Sequence, residues 1–122
     1  MKAFRILGKR DKMLVYQKVR GHVFADGLGA HKTERGWRIT DIETGIAVDN
    51  GPQPKMREAL EAVRKRIEEL EAEKERGIRG LSYSDAMREI RRQFGTIKEN
   101  LGVNPTEFPD GREIWRIEEK RS

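Results

Sequence analysis

The chain contains no cysteine. Disulfides, thiolate metal sites and a cysteine nucleophile are therefore excluded, and the composition fits a reducing compartment. It has little aromatic content, 7%, and only two histidines, His22 and His31. Together with Asp26 these could form an acid–base arrangement, but a catalytic or metal site needs a third convergent group and none is suitably spaced. The chain reads as a non-enzyme with no cofactor and no metal. It also lacks long apolar runs. The first ten residues, Met1 to Arg10, hold no signal-peptide core, and nothing later approaches the ~20 apolar residues of a membrane span. A soluble cytoplasmic protein that avoids membranes is expected.

What is abundant is charge: 39% charged against 35% hydrophobic in 122 residues. That length suits one domain, 1–122, with a thin core. Sharing apolar surface with a second copy would compensate, so a homo-oligomer is expected. The net charge of +5 is unevenly placed. Lys2, Arg5, Lys9, Arg10, Lys12, Lys18 and Arg20 face only Asp11 across the first twenty residues, a local +6. Such a field attracts phosphates in a nucleotide or nucleic acid, and equally serves as a solvated strand face.

The pattern predicts an α+β fold with a small antiparallel sheet, built from a β-rich part over 1–51 and a last strand over 113–118. Phe4–Leu7 and Met13–Val19 read as strands joined by a turn over 8–12. Alternation puts Met13, Val15 and Val19 on one face and Tyr16, Lys18 and Arg20 on the other. Gly21–Ala25 continues the sheet. Gly27-Leu28-Gly29 reads as a glycine-rich loop that either cradles an anion beside Lys32 and Thr33 or is a plain hairpin loop. Trp37–Ile42 and Ile46–Val48 form a hairpin about Thr44-Gly45. Pro52 and Pro54 stop the sheet. The tail over 119–122 is expected to fray.

Two long amphipathic helices follow, over 55–76 and 82–101, forming an αα-hairpin. Met56, Leu60, Val63, Ile67 and Leu70 recur at steps of four and three, a heptad seam. Tyr83, Met87, Ile90, Phe94, Ile97 and Leu101 repeat the pattern. Ser82 and Asp85 make a capping box, and Gly95 marks a potential break. Met56, Leu60, Val63, Ile67, Leu70, Met87, Ile90 and Phe94 are the expected oligomer interface, whether the seams meet within one chain or across two.

Aromatic and basic residues suggest a ligand site. Tyr16 with Lys18 and Arg20, and Trp37 with Arg38, mix rings and cations as a base-and-phosphate site does, and Lys32 joins the candidates from the glycine-rich loop. Trp37 also reads as a core residue. Arg88 and Arg92, with Arg91 and Lys98 nearby, form either a phosphate clamp or a solvated face. Arg112 and Arg116 are further single candidates.

A tryptophan strand, Thr-Asp, a Thr-Gly turn, a short strand, Asn-Gly and a long helix resemble small phage and mobile-element proteins. The residues are Trp37, Ile39, Thr40, Asp41, Thr44, Gly45, Ile46, Val48, Gly51, Ala59 and Leu60. Pro52 and Pro54 depart from the threonine-type helix start of that pattern. The class includes anti-CRISPR proteins and the anti-Thoeris sponges that sequester nucleotide immune signals. The resemblance implies a non-enzymatic, oligomeric protein of the host-cell cytoplasm that captures an anionic nucleotide-like ligand to inhibit host defence. Two alternatives stand beside it: DNA or RNA binding through the basic N-terminal hairpin, and inhibition of a protein partner.

Overall fold

A computed structural model describes residues 1–78 and 80–117. It is α+β, with a five-stranded antiparallel sheet. The elements are β1 (Lys2–Arg10), β2 (Met13–Val23), β3 (Leu28–Thr33), β4 (Gly36–Asp41), α1 (Met56–Glu75), α2 (Tyr83–Phe94), α3 (Ile97–Leu101) and β5 (Ile114–Arg116). The sheet order is β1-β2-β3-β4, and β5 pairs with β2 beside the point where β3 leaves it. Glu118, at the end of the expected last strand, and the tail over 119–122 lie outside the described residues. Among the described residues no helix is long and apolar enough to cross a membrane.

The first hairpin is longer and tighter than the sequence suggests. Pairing runs from Lys2↔Gly21 to Arg10↔Met13, leaving only Asp11 and Lys12 as the turn. Both have positive φ, 48° and 67°, the backbone of a two-residue turn that matches strand twist. Opposed residues share a face. Arg5–Lys18, Leu7–Tyr16 and Lys9–Leu14 lie on one side; Phe4–Val19, Ile6–Gln17 and Gly8–Val15 lie on the other. The expected contrast between a core face and an exposed face does not hold, because Val15 and Tyr16 are both buried. Both sides of this ribbon are covered at mid-length.

The sheet curls so that its two ends meet. The Leu7 amide, at the free edge of β1, donates to the Gly45 carbonyl in the turn after β4 at 2.7 Å. Inside the curl, Phe4 packs edge-on to His31, 6.0 Å between ring centres. Gly29 lies against Phe4 and Ile42. Of the two readings of Gly27-Leu28-Gly29, the geometry is that of a hairpin connection: the Phe24 amide donates to the Leu28 carbonyl, Leu28 and Gly29 are already strand, and Thr33 donates to the Gly36 carbonyl to shape the next turn. The return strand over Ile46–Val48 is reduced to a single bridge, Thr40↔Ala47, with a second at Trp37↔Gln53.

The first seam is satisfied within the chain. Ala59, Leu60 and Val63 bury against Leu28, Ala30 and Ile39, with Met56, Ile67, Trp37, Val48 and Phe24 around them. Leu60 and Val63 are thus used internally, since β3 and β4 supply the apolar face the seam needs, and Met87 on α2 is buried as well. Ile90 and Leu70 are half-buried, and Phe94 stays exposed. The helical hairpin is correspondingly loose. Ser84 donates to Glu71 and Lys74 pairs with Asp85, contacts confined to the far end of α1. Gly77 ends α1 at φ 73°, its amide on the Lys74 carbonyl and that of Ile78 on Glu73. The second predicted helix is two helices. Gly95 breaks it at φ 74°, and Thr96 with Glu99 recaps the chain for α3.

Gly21 marks the point where β2 passes from β5 to β3. A Cβ there would lie 2.0 Å from the Ala30 carbonyl oxygen, a backbone atom with nowhere to move. Gly21→Ala should cost about 3 kcal/mol or more in urea denaturation. Gly8→Ala, where nothing lies within 4 Å, should be neutral or slightly stabilising.

Candidate functional site

The ten residues expected to hold a ligand are not gathered into one site. Tyr16 is buried, and its hydroxyl accepts from Asn100 Nδ2 at 2.8 Å. Lys18 sits 4.8 Å from the Phe108 ring centre and 3.7 Å from Glu113. Trp37 packs on the α1 core with His22 6.0 Å away. Arg38 grips Asp49 through Nε and Nη2, the shortest contact 2.7 Å. Arg88 pairs with Asp85, Arg92 with Glu89 and Arg112 with Asp110. Arg20, Lys32 and Arg116 are exposed on three different strands.

The most deeply placed cation is Arg5, absent from that set. Its side chain is fully buried. Its Cζ lies 4.2 Å from the ring centres of both Phe108 and Trp115. Nη1 donates to the carbonyls of Asn104 and Pro105 at 3.2 and 3.0 Å, and Nη2 to that of Glu107 at 2.8 Å. Burial lowers its pKa, with Asp110 and Tyr16 acting in opposition. Arg5 thus straps the segment before β5 to the sheet. Tyr16, Ile97 and Trp115 form a second core beneath it, with Leu7, Leu101 and Phe108 packed alongside.

That cover ends before the ribbon does. Residues 8–13 are all exposed, and Lys9, Arg10 and Lys12 stand there beside Asp11. Because pairing persists to Arg10↔Met13, Lys9 and Arg10 sit on ordered strand and Lys12 in the tight two-residue turn. Among the described residues none of the three has a carboxylate partner, unlike Arg38, Arg64, Arg91 and Arg92. On the face bearing Leu7 and Leu14 a cleft of about 430 Å³ opens, lined by Lys9, Lys12, Ile46, Ala47 and Phe94. The sequence carries the tip charges openly. It does not show that the turn after β4 would bring Ile46 and Ala47 beside them.

The turn that places Ile46 is built by Asp41. Its Oδ2 accepts from the Thr44 amide and hydroxyl at 3.1 and 2.7 Å, and the Thr44 hydroxyl accepts in turn from the Ile46 amide. The amide of Ile97 donates to the Glu43 carbonyl, so α3 hangs from the same turn. Burial, with Asp41 nearby, pushes the Tyr83 hydroxyl up to about 12.

The two histidines do not converge. His22 is exposed, whereas His31 is buried with Nδ1 lacking a partner among the described residues. Asp26 bonds Arg64 at 3.0 Å instead of either ring. Burial lowers the His31 pKa, Arg38 lowers it further, and Asp49 raises it. Among the described residues no group of three histidines or carboxylates is placed to hold a metal. Comparison with protein-family models, curated proteins and solved structures gives no match.

Two outcomes follow from these buried groups. Arg5→Met should lower stability by about 2–4 kcal/mol in chemical denaturation, because three carbonyls lose their donor. Its loss should also release the C-terminal segment, read as faster amide exchange over 104–117. For His31, the lowered folded pKa means that protonation opposes folding. Stability should be complete above pH 6.5 and fall as pH drops below it. In His31→Gln the loss between pH 7 and 5 should be shallower, by up to about 1.4 kcal/mol per pH unit.

Proposed function

We propose that this protein is a non-enzymatic nucleic-acid-binding module whose projecting β1–β2 ribbon engages the phosphate backbone. The observation that carries the reading is the set of exposed cations without carboxylate partners at the tip, Lys9, Arg10 and Lys12. Lys2, Arg20 and Arg116 are further exposed cations of the ribbon and its neighbour, Arg20 on one face and Lys2 and Arg116 on the other. A two-stranded ribbon is slim enough to follow a groove or strand, and its paired backbone holds the points of attachment of Lys9 and Arg10 in place. Capture of a free nucleotide by the aromatic and arginine set has less support, since Tyr16 is core and Arg38, Arg88, Arg92 and Arg112 already hold carboxylates.

Fluorescence anisotropy with labelled oligonucleotides over a salt series tests this. Binding should weaken steeply with salt, the slope reporting the phosphates contacted. Replacing Lys9, Arg10 and Lys12 together by alanine should reduce that slope by about 2–3 units. Arg57→Ala, on α1 and paired with Glu61, should leave it unchanged. No binding at low salt, or an unaltered slope in the triple variant, would refute the assignment.

A further inference from the structure

We infer that the cleft beside the ribbon tip is a base-binding subsite, which makes the preferred ligand a single strand rather than a duplex. This rests on the nucleic-acid reading above and adds a specificity to it.

The cleft is two-sided in chemistry. Leu7 and Leu14 form a floor, Ile46 and Ala47 one wall, and Phe94 another, while Lys9 and Lys12 stand at its tip end. Among the described residues none that lines it is acidic, in a chain with 21 Asp and Glu; Asp11 lies in the adjoining turn. At about 430 Å³ it falls within the size range of small-ligand sites. Phe94 is 42% exposed, although Met87 on the same helix is buried. An aromatic side chain left open next to two cations with no carboxylate partner among the described residues matches what a nucleotide unit offers: a flat apolar base joined to a phosphate. Paired bases in a duplex are stacked and cannot turn into such a cleft, whereas those of a single strand can.

The experiment compares a 12-nucleotide thymidine strand, a 12-base-pair duplex and an abasic 12-mer on the whole chain at fixed salt. Wild type should favour the thymidine strand over both others. Phe94→Ala should weaken thymidine-strand binding about 5- to 100-fold, with duplex affinity and salt slope retained. Phe94→Trp should keep the preference. Ala47→Glu, which sets a carboxylate in the cleft wall at an exposed position, should abolish it while leaving the fold intact by circular dichroism. The inference is overturned if the abasic strand binds as tightly as thymidine, or if both cleft variants keep the wild-type preference while binding persists. Conversion of a dimer to a monomer by Phe94→Ala in sedimentation would also overturn it, by assigning the cleft to a second copy. Failure of every oligonucleotide to bind overturns the underlying nucleic-acid reading itself.

Discussion

Arg5 sets the terms for the second core. A guanidinium without solvent must be compensated at once by acceptors and by polarisable surface, and here three carbonyls and two aromatic rings supply both. The carbonyls belong to a segment with little regular structure, so the cation gives that segment a fixed path. Once it is fixed, Trp115 can lie over Tyr16 and β5 can pair with β2. An apolar residue at this position would fill space without directing those carbonyls.

The Asp41 turn complements this strap from the other end of the sheet. A carboxylate, a hydroxyl and a glycine in the left-handed region shape one tight corner. That corner then occupies the edge of β1 and starts α3. Closing the edge serves two ends: it satisfies an otherwise open backbone, and it blocks strand-to-strand aggregation there. The exposed end of the ribbon escapes both covers, which is why Lys9, Arg10 and Lys12 stay exposed, with no carboxylate partner among the described residues.

Much of the fold was legible in the sequence because it rests on local chemistry. The capping box at Ser82, the stop at Gly77, the break at Gly95 and the Thr44-Gly45 turn are each written within a few residues. The seam of α1 was readable as well, but its partner was not. Nothing local says that Leu60 meets β3 and β4 rather than another helix. Tyr16 and Arg5 misled for the same reason. An aromatic and a cation on a basic strand look like surface, and only the distant Phe108, Trp115 and Asn100 turn them into core. The tip charges were plain to read; the cleft depended on a long-range approach of the Asp41 turn and was not.

The strap also imposes an order of events. Arg5 and its acceptor carbonyls are separated by 99 to 102 residues. During synthesis the first hairpin leaves the ribosome long before those carbonyls exist. Until they arrive, the cation has only water as a partner, and water must remain where the second core will form. The β3–β4–α1 half closes through nearer contacts and can consolidate first. β1 is therefore made well before its acceptors and is among the last parts to become dry. Without the carbonyls of Asn104, Pro105 and Glu107, the same arginine would leave a wet, charged seam in the middle of the sheet.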